Sequence, residues 1–146
     1  MEETQLLSTL KTYLLAGLFI VISLTGYADD LKEDIYILAS SSMSEASLKQ
    51  LVKDAEKKNL PVYFRGLIKN SYKETALYFK KLGVGITIDP RPFREFNQPQ
   101  VPAFVFKGKD KVFILKGNVP LKYALEKLQE QVPDLESYIG KNRRVK

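Results

Sequence analysis

Apolar residues along the chain follow two alternating patterns. Short runs in which nearly every residue is apolar, Ile35–Ala39 and Val62–Phe64, are typical of strands that are covered on both faces of a sheet. After each run, apolar residues recur three and four positions apart, as they do on one face of an amphipathic helix. The sequence therefore predicts strands that alternate with helices and pair in parallel.

The first helical pattern follows the run Ile35–Ala39. Its apolar positions repeat at i, i+3, i+4 and i+7, at Leu48, Leu51, Val52 and Ala55. Ser42 stands three residues before Glu45, which is the spacing of a capping box. We therefore expect a helix that Ser42 caps and that ends at residues 57–59, ahead of Pro61.

A second helical pattern follows the run Val62–Phe64. Ser71 and Glu74 again have capping-box spacing, and Gly83 is a typical residue at the end of a helix. The buried side of this predicted helix comprises Tyr72, Thr75, Ala76, Phe79 and Leu82.

The second half of the chain predicts one more strand, a hairpin and a last helix. Strand Ile86–Ile88 leads into DPRPF, whose two prolines favour a stiff turn and one helical turn. The apolar runs Ala103–Phe106 and Val112–Leu115 flank the polar turn KGKDK and predict an antiparallel hairpin. The last helix takes its apolar face from Leu121, Ala124, Leu125 and Leu128 and ends at Pro133.

The resulting order is β-α-β-α-β-(turn)-β-β-α, an α/β fold with a mixed sheet of four to five strands flanked by helices. This is the layout of a thioredoxin-like domain, which we place at residues 29–133. Residues 134–146 are polar and basic, and we expect this C-terminal tail to be frayed or disordered.

Residues 1–28 differ from the rest of the chain and are interpreted as a signal peptide. Lys11 precedes the apolar stretch Tyr13–Leu24, and the small residues Gly26 and Ala28 predict cleavage after Ala28. The stretch is shorter than the roughly 20 residues of a spanning helix. A retained membrane anchor is the alternative; otherwise the chain meets the membrane only through its export signal.

The chain contains no cysteine and no histidine. Disulfide exchange, histidine general bases and the usual zinc sites therefore have no side chains to carry them. We expect no cofactor and no enzymatic activity. The net charge is +6, but the basic residues are scattered among acidic ones, which favours a solvated basic surface over a nucleic-acid site.

Two segments stand where a thioredoxin keeps its redox site. SSMS, at Ser41–Ser44, occupies the position of a CxxC motif, and serine hydroxyls do not exchange disulfides. We expect these serines to cap the helix, or else to hold a peptide backbone or an anion. Pro102 alone is an ordinary proline at the start of a strand. In a thioredoxin-like layout, we expect Val101–Pro102 to be cis and to shape a shallow groove beside the first helix.

Two further pairs of residues follow predicted strands. Gly66 is expected to supply a turn conformation that is denied to other residues, and Arg65 is either a solvated charge or the partner of a carboxylate such as Asp89. Asp89 precedes Pro90 and is interpreted as a turn residue, since no second carboxylate is spaced for acid and base catalysis.

These segments together resemble the TrbC family of F-type conjugative pilus assembly proteins. In that family a serine-and-methionine turn opens the first helix, RGL follows the second strand, IDP ends the third and VPAFV starts the hairpin. The family often has proline where this chain has Ser44, which leaves the rigidity of this turn open. The resemblance makes eight positions candidates for fold or partner contact: Ser42, Met43, Arg65, Gly66, Asp89, Pro90, Val101 and Pro102.

The resemblance implies a periplasmic, redox-inactive protein that serves pilus assembly in a type IV secretion system. It also implies a periplasmic partner similar to TraW. Two other functions stay open from the residues: a peptide-binding or chaperone module that holds pilin or another secreted chain beside Pro102, and an enzyme that uses serine or carboxylates on the same scaffold.

Overall fold

The computed structural model describes residues 31–141, and the predicted signal peptide at residues 1–28 lies outside them. The strands are β1 (Asp34–Ala39), β2 (Val62–Phe64), β3 (Thr87–Ile88), β4 (Ala103–Lys107) and β5 (Val112–Lys116). The helices are α1 (Glu45–Lys57), α2 (Tyr72–Leu82), α3 (Arg91–Glu95), α4 (Leu121–Gln131) and α5 (Leu135–Lys141), and a short 3-10 turn covers Ile68–Asn70.

The five strands form one mixed sheet in the order β3-β2-β1-β4-β5. β1, β2 and β3 are parallel to one another, whereas β4 is antiparallel to β1 and β5 is antiparallel to β4. This confirms the predicted α/β fold with a mixed sheet. Two right-handed crossovers that step in the same direction along a sheet place their helices on the same face, which explains why α1 and α2 share one side.

The two faces of the sheet are covered unequally. Alternate residues of β1, among them Ile35 and Ile37, face a large apolar cluster built with α1, α2, α4 and α5. Tyr36 and Leu38 face the other side, where Phe93 from α3 completes a smaller cluster. Because successive side chains of a strand point to opposite faces, β1 supplies both clusters and is buried from Ile35 to Ala39.

The second predicted helix is correct in its bounds but not in its whole buried side. Ser71 caps α2 by accepting a hydrogen bond from the Glu74 N–H, and Gly83 ends the helix in the left-handed conformation with φ 66°. Thr75, Phe79 and Leu82 are buried. Two other residues of the predicted buried side are exposed.

Tyr72 and Ala76 are those two residues, and Tyr72 is 78% exposed. A helical side chain leans toward the turn before it, and Tyr72, as the first residue of α2, has no such turn to cover it. Ala76 lies about 100° around the helix from Thr75 and therefore faces solvent. The prediction that these two residues are buried is wrong.

The predicted frayed tail is also wrong for the residues that the structure describes beyond Pro133. α5 begins at Leu135, and the side chains of Leu135 and Ile139 are buried in the larger cluster. Tyr138 meets Phe106 edge to face, with ring centroids 4.9 Å apart. Positions 135, 138 and 139 have helical spacing, but polar neighbours hide this short apolar stripe in the sequence. The folded domain therefore extends beyond residue 133.

Within residues 31–141, every helix is too short or too polar to cross a membrane.

Candidate functional site

The turn between β1 and α1 is held together by serine hydroxyls. Ser44 is the N-cap of α1, and its Oγ accepts a hydrogen bond of 3.1 Å from the Ser47 N–H. The Ser42 Oγ instead lies 2.7 Å from the Ser40 Oγ. The predicted capping role of Ser42 is therefore wrong, because the helix begins at Glu45 and Ser42 lies two residues before its cap. The expectation that a serine of the SSMS segment caps the helix is confirmed at Ser44.

Pro102 stands immediately before β4, and the Val101–Pro102 peptide bond is cis, as expected for a thioredoxin-like layout. The Pro102 carbonyl accepts a hydrogen bond of 3.1 Å from the Gly117 N–H and thereby extends the pairing of β4 with β5. Pro102 is buried, whereas Val101 is half-buried and packs on the α3 side of the sheet. The two residues therefore pack in different surroundings.

Met43 and Pro102 line one groove of about 510 Å³. This confirms that the N-terminal end of α1 and the segment around Pro102 come together. The other walls come from the first turns of α1 and from the loop between β5 and α4. The groove is lined further by Ala46, Ser47, Gln50, Leu51, Asp54, Asn118, Val119, Pro120 and Leu121.

The loop Asn118–Pro120 forms a part of this groove that was not predicted from the sequence. One signal was present: an antiparallel hairpin that starts just after Pro102 returns its chain to the same place. The register pairs Ala103 with Lys116, so the residues that follow Lys116 lie beside Pro102.

The one acidic residue that lines this groove, Asp54, is already bonded to neighbours on α1. The Gln50 Nε2 donates to one of its oxygens over 2.8 Å, and the Lys57 Nζ lies 3.0 Å from the other. These hydrogen bonds hold the pKa of the Asp54 carboxyl below its usual value. Since Asp54 is ionised and bonded, the groove offers mainly apolar surface, hydroxyls and amides to whatever enters it.

Arg65 anchors the segment after β2 to the far side of the sheet. Its guanidinium lies over the Phe93 ring, 4.6 Å from the centroid, and donates a hydrogen bond to the Gln98 carbonyl. Neither of the two expectations for Arg65, a solvated charge or an ion pair with Asp89, is met. The sequence could not show this, because Phe93 and Gln98 come close only through the fold. Gly66 has φ 68° and so supplies the predicted turn conformation.

Asp89 pairs with Arg91 instead. The Arg91 Nη2 lies 2.9 Å from Oδ2, and Nε lies 3.1 Å from each carboxylate oxygen. The Arg91 N–H also donates to Oδ1 over 2.9 Å. These contacts, the side-chain hydrogen bonds foremost, lower the pKa of the Asp89 carboxyl. Asp89 thus shapes the turn into α3, whose N-cap is Pro90.

Four of the eight candidate positions line two clefts, and Ser42, Gly66, Asp89 and Val101 line neither of them. Met43 and Pro102 share the groove described above, whereas Arg65 and Pro90 line a separate cleft of about 370 Å³ with Phe93 and Gln98. Within residues 31–141, acidic side chains do not gather in threes as a metal site needs. Apolar and polar side chains together line each of the two clefts.

Comparison with known proteins gives the family. The model of the TrbC family, described as type-F conjugative transfer system pilin assembly protein, matches residues 37–128, which is more than half of the chain. The chain belongs to this family. The match begins inside β1 and ends inside α4, so it includes both clefts.

One curated relative is the periplasmic protein TrbC of Escherichia coli strain K12. It is 33% identical over 94 residues, which make up 61% of this chain and 44% of that protein. The chain thus spans less than half the length of this TrbC relative. No solved structure matches the chain.

Proposed function

We propose that this protein is a periplasmic factor for assembly of the F-type conjugative pilus and that it acts through protein contacts rather than catalysis. The observation that carries the proposal is the family match over residues 37–128. The composition supports the non-enzymatic part, because the chain has no cysteine and no histidine. Of the serines that stand at the CxxC position, Ser42 hydrogen-bonds to the Ser40 hydroxyl, and Ser44 accepts a hydrogen bond from the Ser47 N–H of α1.

The periplasmic location rests on two supports. Residues 1–28 have the pattern of a signal peptide with cleavage after Ala28, and the TrbC relative is named a periplasmic protein. A fusion of the chain to a reporter that is active only outside the cytoplasm tests the location. Amino-terminal sequencing of the exported protein tests cleavage, and a residue other than Asp29 at its start contradicts the predicted site.

We assign the domain to the thioredoxin-like folds. The strand order β2-β1-β4-β5, the parallel pair β1 and β2, and the antiparallel hairpin after a cis proline support the assignment. Strand β3 and helix α2 are then additions at one edge. In this fold the groove between Met43 and Pro102 corresponds to the surface beside a redox site, here without thiols.

The partner we propose is a TraW-like periplasmic protein of the same assembly. A second candidate, pilin or another secreted chain, is favoured by the groove of about 510 Å³ at Met43 and Pro102, whose apolar and amide lining suits an extended segment. A photo-crosslinking residue in place of Met43 in a donor cell separates the two. Capture of pilin supports the second candidate, and capture of a fixed assembly protein supports the first.

Deletion of the gene from a donor cell tests the function itself. We expect loss of pili and of conjugative transfer, with recovery when the full chain is supplied in trans. Alanine in place of Ser41, Ser42 and Ser44 together should leave transfer nearly intact, provided that the variant reaches normal levels. If this variant folds and accumulates but supports no transfer, the proposal of a non-catalytic assembly role is wrong. A function that depends on chemistry at the serine turn would then take its place.

A further inference from the structure

Strand β5 forms one edge of the sheet, and the hydrogen bonds around it show which of its backbone groups are free. Gly108 donates to the Lys111 carbonyl at one end of the hairpin, and Gly117 donates to the Pro102 carbonyl at the other. In an antiparallel pair, hydrogen-bonded and non-hydrogen-bonded residue pairs alternate. Gly108 with Lys111 and Pro102 with Gly117 are hydrogen-bonded pairs. Counting two residues at a time along β5 from either pair shows that Phe113 and Leu115 bond to β4.

Val112, Ile114 and Lys116 therefore direct their N–H and C=O groups away from β4. Among the residues that the structure describes, no strand pairs with this side of β5. A row of three donors and three acceptors at the spacing of a strand is the surface to which an extended chain adds.

The side chains of the same residues form an apolar strip. Ile114 stands opposite Val105, on the side of the sheet that α3 covers only in part. Ile114 is 37% exposed and Val112 is 49% exposed, in contrast to Phe113 and Leu115, which pack partly against the larger cluster. Free backbone groups and exposed apolar side chains thus belong to the same residues.

Positive charge predominates around this strip, although Asp110 lies between two lysines in the turn. Lys111 and Lys116 bracket the strand and Lys109 lies in the turn before it; all three are exposed. Among the residues described, the ion pairs do not include these lysines, whereas Lys107 on β4 is paired with Glu95. An incoming strand with acidic residues at its ends would meet unpaired positive charge at both ends of β5.

We propose that β5 is a docking edge for an extended segment of a partner protein in which apolar residues alternate with polar ones and acidic residues stand at both ends. The segment adds antiparallel to β5, sets its apolar side chains beside Val112 and Ile114, and pairs its acidic ends with Lys116 and Lys111. This inference rests on the proposed function only in taking protein contact to be the way in which the domain acts. It concerns a different surface from the groove at Met43 and Pro102.

A second copy of the chain is the poorer occupant. In the symmetric register that sets Ile114 of one copy against Ile114 of the other, Lys116 of each copy stands opposite Val112 of its neighbour, and the lysines of both copies gather along one edge. This register places no acidic residue directly opposite Lys116, and the chain as a whole carries a net charge of +6, so two copies repel each other. The lysines thus oppose self-pairing and favour an acidic partner.

The test measures binding of a labelled peptide, Glu-Thr-Val-Thr-Val-Glu with blocked ends, to the full chain by fluorescence anisotropy. Methylation of the two valine amides removes the peptide donors that face Val112 and Ile114, and we expect it to weaken binding by at least about tenfold. Methylation of the two threonine amides is the matched control, because those amides face away. A peptide with lysine in place of both glutamates should bind at least about tenfold more weakly than the parent.

Variants of the protein complete the test. In Ile114→Pro the lost N–H points away from β4, so the hairpin keeps its bonds while the docking edge loses a donor; we expect at least about a tenfold loss of affinity. Leu77→Ala, at an exposed apolar residue of α2, should bind as the parent does. The double variant Lys111→Glu, Lys116→Glu should prefer the lysine-ended peptide, which a merely structural role would not produce.

Hydrogen exchange measured by NMR localises the contact. The amides of Val112, Ile114 and Lys116 should become protected when the peptide binds, while those of Phe113 and Leu115 are already protected in the free protein. Equal binding by both methylated peptides, or no effect of Ile114→Pro, overturns the proposal. Concentration-dependent dimers that Ile114→Pro abolishes overturn it in favour of a second copy. If the peptide fails to bind but gene deletion still abolishes pili, only this inference falls.

Discussion

The guanidinium of Arg65 lies 4.6 Å from the centre of the Phe93 ring and donates to the Gln98 carbonyl. One side chain thereby ties the end of β2 to the segment that begins with α3 and runs toward Pro102. The segment from Phe93 to Pro102 runs from the cleft at Arg65 to the groove at Met43 and Pro102. Loss of the Arg65 contacts should therefore loosen the segment that leads to this groove.

Replacement of Arg65 by alanine should therefore lower the free energy of unfolding by about 2 kcal/mol, since both the cation–π contact and a charged hydrogen bond disappear. Arg65→Lys keeps the charge but not the planar group that stacks on a ring, and should cost about 1 kcal/mol. Urea unfolding followed by circular dichroism measures both. Arg94→Ala, at an exposed arginine of the same cleft, should change stability by less than about 0.5 kcal/mol. Equal effects at the two arginines would contradict the role given to Arg65.

The ion pair of Asp89 with Arg91 should make the stability of the folded chain depend on pH in the acidic range. Because hydrogen bonds and charge from Arg91 lower the pKa of Asp89 below its ordinary value of 3.8, the pair stabilises the folded chain above that value. The stabilisation is lost as the pH falls through the lower pKa of the folded state. Asp89→Asn should therefore be less stable than the parent by about 1 kcal/mol at pH 7, and the gap should close below about pH 4.

Urea titrations of the two proteins between pH 2 and pH 7 measure this gap. In a double-mutant cycle, Asp89→Asn should have a smaller effect when Arg91 is already replaced by Gln. A gap that is the same at pH 2 and pH 7 would show that Asp89 stabilises the turn without its charge.

Much of the fold follows from residues that are adjacent in the chain. The spacing of Leu48, Leu51, Val52 and Ala55 predicts the buried face of α1, and all four are buried. The apolar runs predict β1, β2 and the hairpin to within one residue at each end. These patterns work because burial repeats with the period of the element itself.

The errors arise where distant residues decide the outcome. SSSMS contains several serines with reasonable capping positions, and local spacing does not determine at which residue α1 begins. The partners of Arg65 are 28 and 33 positions away, which a local pattern does not connect. The groove was predicted from Pro102 and the start of α1, but its third wall at Asn118 required the register of the hairpin.

A substitution in the buried C-terminal helix α5 should destabilise the fold strongly. Leu135 is fully enclosed in the main cluster, and α5 covers that cluster beside Phe106. Leu135→Ala removes buried apolar groups and leaves a cavity, which should lower the free energy of unfolding by about 2–4 kcal/mol. Thermal unfolding should show a correspondingly lower midpoint. Glu136→Ala, on the exposed side of α5, is the control and should shift the midpoint little. A Leu135→Ala protein as stable as the control would mean that the last helix does not pack as described.

Variants of Ser44 and Ser42, in the turn before α1, distinguish the capping hydrogen bond from the contact between two hydroxyls. Ser44 satisfies the Ser47 N–H, one of the donors that a helix start leaves open, and Ser44→Ala should cost about 1 kcal/mol. Ser44→Asp keeps an acceptor at the cap and places negative charge at the helix N-terminus, so it should restore the parental stability. Ser42→Ala breaks only the contact between two hydroxyls and should cost less than Ser44→Ala. Urea unfolding of the three variants ranks them, and a larger loss at Ser42 than at Ser44 would move the cap of α1 back to the position that the sequence alone predicts.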